Sequence, residues 1–320
     1  MLRIEGDLFV GKEIDGDILG GYIECGDRRY YIRKGVLCAF PSKLLRRYRR
    51  IISAYRIIPP DMWDSSKSDW IGHLRRMQKR LILMGLRLLR RLVGLRILAV
   101  GCGAGWEIGV MGRILRGIPD VRIVGCDVAL PPMLVAKRRL RSVLGSNVDF
   151  VCCPAEFLPF RDKTFDVVTA IFGALDHSLN FPRAFMEISR VLKPRGVLIA
   201  TMLNRFALDW IAKVIKSPTL LAKTIKYADR VHARIRIPAK GSRVSIPTHF
   251  YNILEIKKLI KLSGLSLRYV MGMFSVLPLN FRRRRFGAIH RVLAWTDSFL
   301  SLIPPLNFLG RYIGIIAQKA

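Results

Sequence analysis

The stretch Arg96-Ile-Leu-Ala-Val-Gly-Cys-Gly-Ala-Gly105, with Asp127 following 22 residues later in Ile-Val-Gly-Cys-Asp127, restricts the fold of this 320-residue chain more than any other. The apolar run Ile97 to Val100 suits a strand buried on both faces. Glycines at 101, 103 and 105 allow a tight turn, and a helix can start at Trp106. A second apolar run, Val121 to Cys126, then ends on the Asp127 carboxylate. These are the parts of a βαβ unit in a parallel sheet. In such a sheet the turn brings bare backbone against a bound nucleoside, and the acid meets its ribose hydroxyls. The spacing is G-x-G-x-G with Trp106 next, whereas dinucleotide loops carry G-x-G-x-x-G. A ligand without a pyrophosphate is therefore favoured.

Downstream, strands and helices alternate. Strands are predicted at 96–100, 121–127, 148–152, 165–171 and 197–203, and helices at 106–116, 132–143 and 181–192. Asn252, with Glu255 three residues on, predicts a capped helix to Leu262. Strands follow at Leu265 to Phe274 and Tyr312 to Ala317. Alternation of this kind implies a parallel sheet with helices on both faces.

Four motifs occur in order: the glycine loop, Ala155-Glu156-Phe157-Leu158-Pro159-Phe160, Thr164-Phe165-Asp166-Val167-Val168, and Glu187-Ile188-Ser189-Arg190-Val191-Leu192-Lys193-Pro194-Arg195-Gly196. Over residues 96 to 203 the chain resembles the class I S-adenosylmethionine-dependent methyltransferases, in the group that includes the quinone C-methyltransferases. The resemblance implies an α/β, Rossmann-like doubly wound seven-stranded methyltransferase sheet, here with a small N-terminal β-rich and helical appendage. It implies S-adenosyl-L-methionine as cofactor, held by Gly101, Cys102, Gly103 and Gly105, by Asp127 and Val128, by Ala155, Glu156 and Phe157, and by Phe172. Backbone N–H groups of Gly103 to Gly105 would face the methionine moiety, Asp127 the ribose, and Ala155 to Leu158 the adenine. Asp176 and His177 follow the strand at 165–171, so His177 is a candidate base near the transferred methyl, with His249 and Tyr251 able to reach the mouth.

Two departures stand out. The family usually has an acid two residues before the first loop glycine, where it helps hold the methionine end; this chain has Ala99. It often has Asp just before the Ala-Glu pair, where this chain has Pro154. Glu156 and Glu107 are the carboxylates that would have to substitute. Loss of both anchors also supports another reading, a methyltransferase-fold binding or scaffold protein without the cofactor.

Residues 1–42 are predicted as a small β-rich unit with a hairpin turn at Gly20-Gly21. Ile23 to Val36 resembles the zinc-ribbon-like methyltransferase activators, although only Cys25 matches their paired cysteines, and no metal is expected. Residues 43–95 are predicted as basic amphipathic helices, and 96–320 as the catalytic domain with insertions at 205–250 and 275–311. In the longer helix Leu74, Met77, Leu81, Met84, Leu88 and Leu92 make one stripe, beside Arg76, Arg80, Arg87 and Arg91.

Lys and Arg number 55 against 23 acids, a formal +32, which directs attention to polyanions. An anionic membrane surface, with a hydrophobic small molecule or lipid as substrate, is the leading expectation. Its support comes from segments 43–56 and 73–96, from Arg282 to Arg285, and from the apolar stretch Val292 to Leu309. RNA methylation is the alternative, but no recognisable RNA-binding module accompanies the charge. Phe172-Gly173-Ala174-Leu175 also stands where base amino-group methylation would need an N-P-P-Y/F-type tetrapeptide. With no signal peptide and no long apolar span, the chain reads as cytoplasmic, resting at the inner membrane face.

Overall fold

A computed structural model describes residues 7–14, 17–26, 28–58, 68–208, 211, 232–239, 242–277 and 285–320. Its centre is a parallel sheet of β5 (Arg96–Val100), β6 (Arg122–Asp127), β7 (Val148–Cys152), β8 (Phe165–Ala170) and β9 (Leu192–Leu203). These lie side by side as β7-β6-β5-β8-β9. The chain moves outward one way from β5 to β7, returns to the other side of β5 with β8, and continues to β9. That reversal puts the crevice where ligands bind in open α/β sheets between the carboxyl ends of β5 and β8. The helices are α3 (Trp106–Ile114), α4 (Leu130–Leu144) and α5 (Phe181–Val191).

The sheet closes as the resemblance implies. The strands β12 (Leu265–Met273) and β13 (Tyr312–Lys319) are antiparallel, and β13 pairs antiparallel with β9. Before β12 comes α6 (Ile253–Leu262), whose Asn252 side chain accepts from the Glu255 N–H at 2.9 Å, so the expected cap is made.

The N-terminal residues form β1 (Asp7–Ile14), β2 (Asp17–Cys25), β3 (Arg28–Arg33) and β4 (Val36–Cys38). They extend the same sheet, because β4 runs parallel to β7 with Leu37 opposite Val151 and Cys38 opposite Cys152. The order β1-β2-β3-β4-β7-β6-β5-β8-β9-β13-β12 gives eleven strands among the described residues. Gly20 and Gly21 make no turn, contrary to expectation. They lie inside β2 at a bulge against Val10 and Lys12, and a Cβ at Gly21 would collide with the Phe9 carbonyl.

Strand alternation sorts the core into two layers. Ile97 and Ala99 of β5 face one layer, Leu98 and Val100 the other. The first layer holds α2 (Asp69–Leu86), α3 and α4, and the second holds α5 and α6. The apolar stripe could serve a membrane or phosphates or pack on the catalytic domain, and the structure has it packed: Leu74, Met77 and Leu81 are buried against the sheet. The helix ends at Leu86, short of the expected Leu92, and even Arg75 and Gln78 are drawn inside. Each of these apolar side chains contributes roughly 1.5–3 kcal/mol by leaving water.

The remaining elements flank this core. The helix α1 (Ser42–Ile57) buries Tyr48, Ile51 and Ala54 beside Ile246 of β11 (Ser242–His249), which pairs with β10 (His232–Ala239). The helix α7 (Ala288–Leu300) is pinned to α2 by His73 Nε2, 3.0 Å from Asp297 Oδ2. Much of the expected insertion at 205–250, and Arg282 to Arg284, lies outside the described residues. No described helix is long and apolar enough to cross a membrane.

A candidate cofactor site at the carboxyl ends of the strands

After Val100 the chain turns through Gly101, Cys102 and Gly103, with φ of 66° at Gly101 and 48° at Gly103. Both are left-handed, which disfavours other residues. The two glycines are needed for different reasons. A Cβ on Gly101 would sit 2.5 Å from the Ala174 Cβ, so close packing excludes it. A Cβ on Gly103 would meet nothing within 4 Å, so that residue borders open space. Gly105 packs on α4, where an added Cβ would lie 2.7 Å from Leu140 Cδ1. The Cys102 N–H donates to the Cys126 carbonyl at 3.0 Å, tying the loop to β6. Its thiol is buried and pushed well above the usual thiol range.

Asp127 ends β6 and organises the loop. Its Oδ2 accepts from the Gly103 N–H and its Oδ1 from the Ala129 N–H, both at 2.8 Å. Burial raises its pKa, and these N–H groups oppose the rise. Each carboxylate oxygen still has a second lone pair for a ribose hydroxyl. Val128 follows, half-buried against the α1 cluster.

The adenine-side loop is held rigidly from α5. Arg190 donates to the Leu158 and Phe160 carbonyls at 2.8 and 2.7 Å, the Leu158 N–H donates to Glu187, and Arg183 Nε donates to the Glu156 carbonyl. Ala155 is buried and Phe157 half-buried. The Glu156 carboxylate is committed elsewhere. It accepts from the Tyr48 hydroxyl at 2.7 Å, the Ser178 hydroxyl at 2.8 Å and the Asn180 N–H at 2.8 Å, so it clamps α1 onto the loop before α5. Burial and the Glu156 charge drive the Tyr48 pKa strongly upward.

Glu107 is different. In the first turn of α3 it is only 4% exposed, and burial raises it to about 8 against the opposing effects of its own N–H and of Arg75. Arg75 of α2 is 9% exposed and lowered to about 10 by burial, with Glu107 opposing. Its guanidinium lies 4.3 Å from the Trp106 ring centre and 5.0 Å from that of Phe172, and donates to Gln78 Oε1 at 2.9 Å. Glu107 Oε1, Arg75 Nε and Gln78 Nε2 are buried without a partner. Orphaned polar atoms on a buried carboxyl and a buried cation cost free energy unless a ligand pairs them. A zwitterion, such as the amino-acid end of S-adenosylmethionine, suits that pair in charge and donor set. The residues present therefore fit the cofactor, with Glu107 and Arg75 as charged groups in a site that lacks the family's acid at Ala99.

Phe172 closes this side. It has φ 59°, unusual for a bulky residue, its N–H donates to Thr201 Oγ1 at 2.8 Å, and its ring lies 5.9 Å from Tyr312. Beyond it, His177 Nδ1 is 3.1 Å from the Pro247 carbonyl, and burial lowers the His177 pKa. A proton on Nδ1 donating to that carbonyl leaves the lone pair on Nε2. That nitrogen faces Gly173, whose added Cβ would lie 3.2 Å away. The Tyr55 ring of α1 meets His177 edge-on at 6.1 Å, and burial with Asp127 and Asp176 nearby pushes its hydroxyl up.

Asp176 and His249 point into the protein. Asp176 Oδ1 accepts from the Leu203 N–H at 3.0 Å, Oδ2 has no partner, and burial raises the group to about 8. The His249 ring stacks on Phe181 at 4.1 Å, meets Tyr251 edge-on at 4.2 Å, and has Nε2 2.8 Å from Glu255 Oε1. The structure therefore brings the glycine loop, Asp127 and His177 together with α1, while the His249 side chain packs apart from His177. Arg75, Gln78, Tyr48 and Tyr55 were missed from sequence, because they sit on helices whose pattern reads equally as a solvated basic face. Among the described residues no group of three His, Cys, Asp or Glu side chains is placed to hold a metal.

A family model described as a methyltransferase domain matches residues 98–200. An uncharacterized protein of Methanocaldococcus jannaschii is 32% identical over 177 residues, 55% of this chain and 63% of that protein. The chain thus spans less than two thirds of that relative. A demethylmenaquinone methyltransferase of Thermus thermophilus is 29% identical over 196 residues, 58% of this chain and 80% of that one. The geranyl diphosphate C-methyltransferase from Streptomyces coelicolor, solved with Mg2+, geranyl diphosphate and S-adenosyl-L-homocysteine, superposes with a TM-score of 0.50 at 15% identity. That match covers 78% of this chain and 82% of the other, and it concerns the fold. Strand order, glycine loop and matching domain together make residues 98–200 a methyltransferase domain with the class I S-adenosylmethionine-dependent fold.

Proposed function

We propose that the protein methylates a hydrophobic small molecule, of the quinone or isoprenoid-lipid class, at a membrane face. The observation that carries the catalytic half is the buried Arg75–Glu107 pair with its unpartnered atoms, beside the open Gly103 and the Asp127 carboxylate. The substrate class is supported by a relative named demethylmenaquinone methyltransferase, from Thermus thermophilus, and by the aromatic rings of Phe172 against Tyr312 and of Tyr55 against His177.

When bound, S-adenosylmethionine supplies an electrophilic methyl on a sulfonium. Asp127 accepts from the ribose hydroxyls, Arg75 pairs with the carboxylate and Glu107 with the ammonium. Ala155 and Phe157 flank the adenine, while the Asp127 contacts to Gly103 and Ala129 hold the loop rigid. Methyl transfer needs in-line placement above all, and a preformed loop supplies that placement without reorganisation. His177, neutral at physiological pH because burial lowers its pKa, accepts the proton from the acceptor at Nε2. Asp176 keeps the loop seated through Leu203, and Tyr55 and Phe172 exclude water from the transfer.

Calorimetric titration with S-adenosylhomocysteine tests the reading. Micromolar binding that is lost in Asp127→Ala supports it. A protein that binds no S-adenosylhomocysteine is a scaffold instead. Methyl transfer to RNA, with none to quinone or isoprenoid acceptors, would replace the substrate class.

A further inference from the structure

We infer that α7 is the surface by which this protein docks on an anionic lipid bilayer; the inference adds a docking element to the membrane-face reaction proposed above. Ile289, Val292, Trp295 and Phe299 recur at spacings of three and four, so they form one stripe along the helix. They are 69%, 62%, 73% and 66% exposed. The Trp295 and Phe299 rings stack at 6.2 Å with planes 8° apart. A contiguous apolar stripe of this size on a soluble surface marks an interaction site.

The helix cannot rotate to hide the stripe, because its other face is pinned. Asp297 is fully buried, accepts from the N–H groups of Phe274, Ser275 and Val276, and meets His73. Arg80 of α2 donates to the Ser298 carbonyl. The anchoring also removes the helix's one acid from the surface, leaving a face that is apolar and positive. Arg291 is exposed on it, and the exposed Arg80 of α2 lies beside it at Ser298, while Arg285, ahead of the helix, is paired with Asp69 at 3.4 Å.

Charge selects the partner. A helix with Trp and Phe on one face and arginines beside it lies in the headgroup region of anionic membranes. A second copy of a chain with a formal +32 repels at this face, and Trp295 and Phe299 stack on each other in line with the aliphatic Ile289 and Val292, a continuous apolar stripe that suits acyl chains. The helix is also coupled to the site. Phe286 and His290 pack on Trp70 at 4.6 and 5.3 Å. Trp70 and Arg75 share α2, about 8 Å apart along its axis at 1.5 Å per residue.

The experiment is flotation of the full chain with vesicles of phosphatidylglycerol and phosphatidylcholine, beside pure phosphatidylcholine vesicles. Binding to the anionic vesicles alone, weakened by salt, is expected. W295Q/F299Q, and separately I289Q/V292Q, should each weaken binding at least about tenfold, with S-adenosylhomocysteine binding unchanged. Equal vesicle binding by parent and both variants overturns the inference. So does a dimer, seen by light scattering, that dissociates in these variants while the parent ignores vesicles. RNA binding lost in the same variants without vesicle binding overturns it too. S-adenosylhomocysteine binding without vesicle binding rejects the docking surface and leaves the cofactor site standing. Vesicle binding without S-adenosylhomocysteine binding keeps the surface and removes the proposed reaction.

Discussion

The helices α2 and α7 each carry an apolar stripe with arginine beside it, yet they meet opposite environments. The α2 stripe of Leu74, Met77 and Leu81 is packed against β9 and β13. The α7 stripe of Ile289, Val292, Trp295 and Phe299 faces outward. What separates them is the polar side. In α2 one charged residue, Arg75, goes inward because Trp106, Phe172 and Glu107 compensate it. In α7 the inward polar residue is Asp297, tied to three backbone N–H groups and His73, and the apolar residues are left outside. Amphipathicity says that a helix has two faces, and the neighbours decide which one is inside.

The largest effect should come from the core side of this comparison. Leu81→Ala in α2 should cost about 2–5 kcal/mol by leaving a cavity, read by urea unfolding. A cost below about 1 kcal/mol would mean the stripe is not core.

Next come the buried carboxyls. Asp176 and Glu107 have folded pKa values of about 8, above their ordinary 3.8 and 4.5. A raised pKa favours folding at low pH, and the advantage is lost as pH climbs towards 8. Asp176→Asn should therefore flatten the fall in melting temperature between pH 5 and 8. It should gain of order a few kcal/mol over the parent at pH 8. An unchanged slope would show that this carboxyl is ionised in the folded chain.

A smaller change should follow Arg75→Gln. Lost charge-assisted pairing should weaken S-adenosylhomocysteine about 10- to 100-fold by calorimetry. Binding of 5′-methylthioadenosine, which lacks the amino-acid end, should stay constant. Equal weakening of both ligands would assign Arg75 a purely structural part.

The smallest effect should fall on the exposed helix. Trp295→Gln should shift unfolding by no more than about 0.5 kcal/mol while it weakens vesicle binding. A large loss of stability would mean that the stripe is covered in solution.

Much of the catalytic domain was legible in advance. The sheet strands, the glycine loop and the acid at Asp127 follow from apolar runs, punctuating glycines and their order. Gly20 and Gly21 misled, because a glycine pair signals a turn or a bulge equally well and only the pairing of β1 with β2 separates them. Glu107 and Glu156 looked interchangeable as replacements for the acids missing at Ala99 and Pro154. The structure sets them apart: Glu156 is saturated by Tyr48, Ser178 and Asn180, while Glu107 keeps an unpartnered oxygen.

The sequence by itself determined the class of the fold and the place of its ligand crevice, since strand period, glycine turns and an acid after an apolar strand are short-range features that survive any surroundings. Only the tertiary structure decided that α1 lies over the site, with Tyr48 reaching Glu156 108 residues away. It also decided that Arg75 is buried beside Glu107, and that β4 joins β7 to prolong the sheet. Each of these depends on which distant groups compensate a buried charge or an open strand edge. That compensation is long-range, and no local pattern encodes it.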